Sequence, residues 1–214
     1  MVTATVRGDG SSKFAKGKQW GYFPSVALAW RMSEETWMQE ADWITNLKWR
    51  LSYGMTGNNS GIGNYDTQQV LSDPIYYPFG GSYSTGYFVN AIVDQNLTWE
   101  TSKERNAGLD FGFVRDRITG SVDFYNKTSD DLLYKVELPL EAGGGTVTTN
   151  VGSVLNRGVE VSLKTVNVET AGVHWETTFT LAHNTNRVLE INGSGTDLPN
   201  DGLFIGQPIN NVYN

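Results

Sequence analysis

Few side chains in this sequence could carry out acid–base or nucleophilic chemistry, and their spacing matches no catalytic or metal-binding motif. The two histidines, His174 and His183, fall near opposite ends of one predicted strand, and no His-Glu-x-x-His motif accompanies them. Cysteine is absent, which excludes a thiolate nucleophile and a thiolate metal site. Asp130 and Asp131 form a carboxylate pair, for which the start of a solvated loop is the favoured interpretation. The sequence therefore predicts no catalytic set, no metal site and no cofactor site.

A different kind of chemistry is offered by the segment IYYPFGGSYSTGYFVN, residues 75–90. Its aromatic side chains stand among glycines and serines, and they are Tyr76, Tyr77, Phe79, Tyr83, Tyr87 and Phe88. Aromatic faces beside small polar groups suit stacking on a sugar ring or burial in a protein interface. The alternative is that the segment folds on itself or packs on neighbouring loops. We treat these six residues as candidate contacts for a ligand or a partner protein.

The composition is that of a folded protein. The chain has 214 residues, of which 39% are hydrophobic, 12% aromatic and 18% charged, so disorder is not expected. The net charge is −7 and no basic block occurs, which argues against a nucleic-acid partner. No apolar run approaches the length of a transmembrane helix, but the strands of a membrane β-barrel would show none.

Alternation of apolar and polar residues predicts an all-β, antiparallel structure. Period two, β-branched and aromatic enrichment and turn residues at the boundaries favour strands over helices. The seven predicted strands are residues 1–7, 21–31, 46–55, 104–114, 117–127, 155–166 and 173–184. The one helical candidate is short, residues 33–39, with Ser33 as its N-cap.

The connections between these strands alternate in length. The connections 8–20, 56–103, 128–154 and 185–214 are long, whereas 32–45, 115–116 and 167–172 are short or compact. In an antiparallel sheet the two groups lie at opposite ends, which is the pattern of outer-membrane barrels. Aromatic residues near the strand ends would form the interfacial girdles of such a barrel, and they are Trp20, Tyr22, Trp49, Tyr53, Trp99, Phe124, Tyr125 and Trp175. The alternation fits a soluble β-sandwich core equally well.

Six sequence blocks favour the outer-membrane barrel over the soluble β-sandwich. They are RGDGSSKFAKGKQWGYFPSVALAW, LKWRLSYGMTGN, LTWETSKERNAGLDFGF, RITGSVDFYNKTSDDLL, NVGSVLNRGVEVSL and W-x-T-x-F-T-x-A-H-N-x-N-x-V, followed by the tail GQPINNVYN. The residues of these blocks and their order along the chain closely resemble the C-terminal half of the barrel in SusC/RagA-type TonB-dependent outer-membrane transporters. The resemblance covers nearly the whole chain.

The resemblance implies a fold, a location and partners. Residues 1–214 would form seven to eight strands of a larger up-and-down transmembrane barrel, with the plug domain, the TonB-contacting segment and the final strands absent. The parent protein would lie in the outer membrane of a Gram-negative, Bacteroidota-like cell, in contact with membrane lipid. It would import a glycan or a peptide together with a SusD-like surface lipoprotein, and TonB would act through the missing N-terminal part. It would not be an enzyme. The alternative function is a soluble, extracellular, carbohydrate-binding β-sandwich.

The resemblance also implies which way each strand faces. The long connections would be extracellular and the short ones periplasmic. Asp110 and Asp123 would face the lumen, and lipid would contact Leu109, Phe111, Phe113, Ile118, Val122 and Phe124. Pairing residue 113 with 118, 111 with 120 and 109 with 122 keeps like faces together across the hairpin.

Overall fold

The computed structural model describes residues 1–71, 73–88, 92–142 and 145–209. It contains eleven strands and three 3₁₀ turns within these ranges. The strands are β1 (Val2–Gly10), β2 (Trp20–Arg31), β3 (Ile44–Asn58), β4 (Ile75–Phe79), β5 (Ser82–Gly86), β6 (Glu100–Phe113), β7 (Ile118–Asp130), β8 (Leu133–Glu137), β9 (Thr146–Asn150), β10 (Ser153–Glu169) and β11 (His174–Glu190).

One antiparallel sheet holds the seven long strands in the order β1-β2-β3-β6-β7-β10-β11. Each strand pairs with its neighbour along the chain, apart from the hairpins β4–β5 and β8–β9, which form separate two-stranded sheets inside two connections. The predicted all-β, up-and-down fold is confirmed. The sheet does not close on itself, because β1 and β11 are its edges within the described residues.

The seven predicted strands are present, but several of the predicted boundaries are too short. The strands β6, β7, β10 and β11 extend by two to six residues beyond the predicted bounds toward the end of the sheet that carries the long connections, which we call the long-loop end. The opposite end is the short-turn end. Most residues of these extensions are polar, so the hydrophobic alternation that predicted the strands stops before the backbone ladder does.

The two faces of the sheet differ sharply in chemistry. Residues directly opposite each other on antiparallel strands project to the same side. By this criterion one side, the apolar face, carries Val2, Ala4, Val6, Val26, Leu28, Trp30, Leu47, Trp49, Leu51, Ala107, Leu109, Phe111, Phe113, Ile118, Val122, Phe124, Val159, Val161, Leu163, Phe179 and Leu181. The other side, the polar face, carries charged and small residues. The register predicted for the β6–β7 hairpin is confirmed at all three pairs, Phe113 with Ile118, Phe111 with Gly120 and Leu109 with Val122.

The apolar face is open to its surroundings. Phe124, Phe179 and Leu181 are 53%, 54% and 55% exposed. Within the described ranges no second sheet packs on this face, so the structure contradicts the β-sandwich alternative, whose core would lie between two sheets. The described residues contain no helix long and apolar enough to cross a membrane.

The buried core lies instead among the connections at the long-loop end. Phe14, Phe23, Ile62, Leu97 and Trp99 are at most 8% exposed and pack together. Trp99 contacts Phe14 and Phe23, with ring centroids 5.0 and 5.7 Å apart. We call these five residues the loop core. The prediction that Trp99 belongs to an interfacial girdle is therefore wrong, because the loops need an apolar cluster of their own.

Aromatic rings do gather on the apolar face near the short-turn end. Trp43 stacks on Phe113, and Phe113 stacks on Phe111, each pair with centroids 5.4 Å apart. Trp49 lies in mid-strand beside Trp30 and Leu109, so it is not at a strand end as predicted.

The predicted helix over 33–39 is absent. The chain forms a 3₁₀ turn over Met32–Glu34, and Glu35 is already extended (φ −75°, ψ 142°). Two side-chain contacts fix this turn to the end of β2. The Trp30 indole N–H donates to Glu35 Oε1 at 2.9 Å, and Arg31 forms an ion pair with Glu34 at 2.6 Å. Ser33 lies inside the turn, where it cannot act as the predicted N-cap.

Candidate functional site

The aromatic segment forms the β4–β5 hairpin. Its tip is Gly80 and Gly81, whose positive φ values of 62° and 85° suit the tight turn. Tyr77 lies over Gly86, where an added Cβ would come within 3.0 Å of the ring. The sequence analysis placed this segment in a loop because Pro78 and the glycines interrupt the strand pattern.

The hairpin divides the six candidate residues between its surfaces. Its register puts Tyr76 and Tyr83 on one face as diagonal neighbours, with Tyr77 and Phe79 on the other. All six are more than 45% exposed, including Tyr87 and Phe88, which follow β5. Val89 and Asn90, the last residues of the segment, lie outside the described residues. The structure therefore does not bring the six together on one surface.

On the polar face, three strands are joined through Arg50. Its guanidinium contacts Asp110 on β6 at 2.7 Å and Asp123 on β7 at 2.8 Å, while Lys48 lies 3.5 Å from Asp110. Gly108 makes room for this arrangement, because an added Cβ would lie 2.8 Å from the guanidinium carbon and 2.4 Å from an Asp123 oxygen. Asp110 and Asp123 thus share the polar face as predicted.

The sequence analysis did not predict the ion pairs that Arg50 forms with Asp110 and Asp123. The alternation of Lys48 and Arg50 with apolar residues could have placed both cations on that face. Their distance from the acids depended on the register between β3 and β6, which sequence did not provide.

Further polar contacts continue across this face. Tyr125 crosses Gly158 to donate its hydroxyl to Asn184 Oδ1 at 2.8 Å, and an added Cβ at Gly158 would lie 2.7 Å from the Tyr125 ring. Glu160 lies directly opposite Asp123. A shallow depression of about 210 Å³ on the same face is lined largely by small and polar residues, namely Met1, Thr3, Ala27, Leu28, Ala29, Arg50, Leu51, Ser52, Asn106 and Gly108. This surface suits contact with polar groups or water.

At the long-loop end, hydrogen bonds fasten the connections to each other. The Asn150 side chain accepts from the Thr98 N–H at 2.7 Å and donates to the carbonyls of Thr98 and Asp131 at 2.9 and 2.8 Å. Lys13 Nζ donates to the Ile62 carbonyl at 2.8 Å. Because these bonds join segments far apart in sequence, the described parts of the connections after β1, β3 and β7 are tied to one another over the strand ends.

A polar cavity of about 500 Å³ lies beside this layer. Its lining comes from the β8–β9 hairpin and the connection after β11, and consists of Tyr134, Lys135, Val136, Glu137, Thr146, Asn192, Leu198, Pro199, Asn200 and Asp201. The Tyr134 hydroxyl donates to Asp201 Oδ2 at 2.8 Å. This hydrogen bond, with smaller contributions from burial and from the negative charge of Asp201, raises the pKa of Tyr134 above its ordinary value.

The remaining candidates for chemistry are dispersed. His174 lies near Glu169 and Glu176 at 3.6 and 3.4 Å at the short-turn end, whereas His183 lies opposite Val159 at the margin of the apolar face. In the part of the chain that the structure describes, no three His, Cys, Asp or Glu side chains are grouped to hold a metal ion.

Asp130 and Asp131 do not act as a pair. Asp130 bonds Lys103 at 2.9 Å and Ser153 at 2.7 Å, while Asp131 takes a positive φ of 57° where the chain leaves β7. Asp131 therefore belongs to the start of a loop, as the sequence analysis favoured.

Comparisons with known proteins agree on one family. A model described as "TonB dependent receptor-like, beta-barrel" matches residues 1–212. TonB-dependent receptor P39 of Formosa agariphila is 35% identical over 215 residues, covering 100% of this chain and 20% of the relative. TonB-dependent receptor SusC of Bacteroides thetaiotaomicron is 36% identical over 198 residues, covering 90% of this chain and 20% of the relative.

Solved structures give the same result. The RagAB peptide importer in its open-open state superposes with a TM-score of 0.84 at 30% identity, covering 97% of this chain and 22% of that one. The closed-closed state gives a TM-score of 0.81 at 29% identity. The chain spans about a fifth of the length of the relatives it matches.

Proposed function

Since the chain belongs to the TonB-dependent receptor-like β-barrel family and is of the SusC/RagA type, we propose that it is part of an outer-membrane importer of nutrients. It would supply a section of the barrel wall and several of the loops that meet the ligand. The long-loop end is then extracellular and the short-turn end periplasmic. The parent protein is a transporter in this proposal and catalyses no reaction.

The observation that carries the proposal is the two-faced single sheet. A one-layer sheet with an exposed apolar face is stable only against a nonpolar environment, and lipid provides one. The aromatic stack of Trp43, Phe113 and Phe111 near the short-turn end suits the membrane interface. The polar face, with Arg50 held between two carboxylates, suits a water-filled or plugged lumen.

The imported nutrient would be a glycan or a peptide, captured with a SusD-like surface lipoprotein. TonB would act on parts of the parent protein outside these residues. Support for a peptide comes from RagAB, which is a peptide importer. Nothing in the loops separates the two ligand classes, because stacking aromatics and polar cavities suit both.

The β4–β5 hairpin is the proposed contact with the ligand or the lipoprotein. Exposed aromatic side chains lose little conformational entropy on binding and bury a large area, which makes them frequent binding hot spots. Its two faces offer two distinct contacts: Tyr76 with Tyr83, and Tyr77 with Phe79.

The test of import uses the gene in its own host. The coding region is removed in frame in one strain and restored from a plasmid in a second. We expect the deletion strain to lose growth on either oligosaccharides or peptides of the right class, and the restored strain to regain it. Growth on free monosaccharides and amino acids should be unchanged. Recovery of the protein in the soluble fraction, with growth unaffected on every substrate, would refute the proposal.

The hairpin is tested by two double variants of the natural full-length protein, Tyr76→Ala with Tyr83→Ala and Tyr77→Ala with Phe79→Ala. We expect at least one of them to weaken ligand or lipoprotein binding about tenfold. Tyr65→Ala is the matched control, because this tyrosine is 66% exposed and lies outside the hairpin. If uptake and complex formation survive in both double variants, the hairpin is not the contact.

A further inference from the structure

On two strands of the sheet, a cation interrupts the apolar residues of the apolar face toward the long-loop end, and on β10 one further apolar residue, Leu155, lies beyond that cation. On β6, Ala107 is succeeded toward the long-loop end by Arg105, and on β10, Val159 is succeeded by Arg157. Successive residues on one side of a strand are about 7 Å apart along it. Both guanidinium groups therefore stand at the extracellular margin of the proposed lipid-facing surface.

The two arginines belong to one row across the sheet. Arg105 lies opposite Asn126, and Asn126 lies opposite Arg157, which puts the two backbones about 10 Å apart across three strands. The row continues to Tyr53 and Thr185, so it contains no acidic residue.

Neither arginine is neutralised by a carboxylate. The Arg105 side chain is exposed and has no hydrogen bond or ion pair within the described residues. Arg157 makes one long contact, from its Nε to the Thr185 hydroxyl at 3.4 Å. By contrast Lys103, one row nearer the loops, is already paired with Asp130 at 2.9 Å. Arg187, which lies opposite Leu155 one row nearer the loops, is also exposed and has no side-chain partner within the described residues. Arg105 and Arg157 are thus the two unpaired cations that share one row beside the apolar residues.

Each arginine also stands at the end of an apolar groove. The groove below Arg105 has a volume of about 520 Å³ and is lined by Val26, Leu28, Leu51, Ser52, Tyr53, Asn106, Ala107, Phe124, Tyr125 and Asn126. The groove below Arg157 has a volume of about 380 Å³ and is lined by Phe124, Tyr125, Asn126, Gly158, Val159, His183 and Thr185. Phe124 borders both grooves. An occupant that matches them has an apolar chain and an anionic head.

We propose that these twin grooves bind a phosphate-bearing lipid of the outer leaflet, with acyl chains beside Phe124 and phosphate on Arg105 and Arg157. The guanidinium fork matches phosphate oxygens with two parallel hydrogen bonds, and such bonds are stronger next to lipid than in water. The inference rests on the proposed function, because it requires the apolar face to lie in the outer membrane.

The test uses the protein at its full natural length, extracted from the outer membrane in a mild non-ionic detergent. Phosphatidic acid and a diacylglycerol with the same acyl chains are added, and bound lipid is counted by native mass spectrometry. We expect preferential retention of phosphatidic acid, reduced about tenfold for each arginine removed in R105Q and R157Q. R115Q is the matched control, because Arg115 lies in the β6–β7 turn at the other end of the sheet.

Three results would overturn the site. They are equal retention of the two lipids, unchanged retention in the double variant R105Q/R157Q, and displacement of phosphatidic acid by millimolar inorganic phosphate, which would mean that the site takes free phosphate. If the glutamine variants fail to insert, R105K/R157K decides, since lysine keeps the charge but lacks the fork; retention equal to that of the wild type would then contradict the proposal. A protein absent from the outer membrane would instead refute the proposed function.

Discussion

Replacement of Gly57 by alanine tests the packing of the loop core directly. An added Cβ at this position would lie 2.0 Å from Phe23 Cζ and 2.5 Å from Cε1, whereas carbon atoms at rest are about 3.5–4.0 Å apart. The Phe23 ring would have to retreat by about 1.5 Å to restore an ordinary contact. The ring has little room to move, because it already lies against the backbone of Gly21, where an added Cβ would be 2.5 Å from Phe23 Cζ, and Trp99 packs edge-on at 5.7 Å.

We therefore expect Gly57→Ala to cost about 1–3 kcal/mol of folding free energy, the usual range for an overpacked core. If the ring is expelled from the cluster altogether, the loss approaches the cost of about 3–5 kcal/mol seen when a buried phenylalanine is truncated. The assay is urea unfolding of the detergent-solubilised, full-length protein, together with protease sensitivity of the loops.

Gly172→Ala is the matched control, because nothing lies within 4 Å of its Cβ position and its φ is not positive. A surface change of this kind should stay within about 0.5 kcal/mol of the wild type. The double variant Phe23→Leu with Gly57→Ala should lose less than the sum of the two single changes, since the smaller side chain vacates part of the contested space. Equal unfolding midpoints for Gly57→Ala and Gly172→Ala would refute the packing argument.

Three further predictions concern polar contacts. Arg50→Gln should lower the unfolding free energy by about 1 kcal/mol, a modest amount because its ion pairs are partly open to solvent, and the loss should shrink in high salt; an unchanged urea midpoint would contradict it. Asn150→Ala removes two hydrogen bonds to Thr98 and one to Asp131, so we expect about 1–3 kcal/mol of destabilisation and faster proteolysis of the loops, whereas Asn64→Ala, at an exposed residue without a side-chain hydrogen bond within the described residues, should leave proteolysis unchanged. Because the pKa of Tyr134 is raised, its stabilising contact with Asp201 is fully present below the ordinary tyrosine pKa of about 10 and is lost as the pH rises through the pKa of Tyr134 in the folded protein. Proteolysis of the loops should therefore increase at alkaline pH, and Tyr134→Phe should remove this pH dependence.

The strands and the β6–β7 register were predictable because a membrane-facing sheet obeys a simple rule along each strand. The side chain alternates with period two, and the tight turn between Phe113 and Ile118 leaves one register that keeps like faces together. The same rule placed Asp110 and Asp123 on the polar face.

The loops could not be predicted in this way. Their order comes from contacts between segments far apart in sequence, such as Trp99 with Phe14, and from a side chain that bonds residues of two connections at once, such as Asn150. The β4–β5 hairpin was missed because Pro78 and the glycines suggested irregular structure. Pro78 lies opposite Tyr83 within a two-stranded ribbon, where a strand has a free edge and can accommodate proline.

The loop core has a consequence for how such a protein acquires new specificities. None of its five members lies in the β4–β5 hairpin, although Ile62, Leu97 and Trp99 flank the hairpin in the same long connection. The hairpin is thus a separate unit inserted between residues of the loop core, and its residues 75–86 pair with each other. Evolution or an engineer could exchange the insert for another of different length and chemistry, while the flanking residues kept its two ends in place.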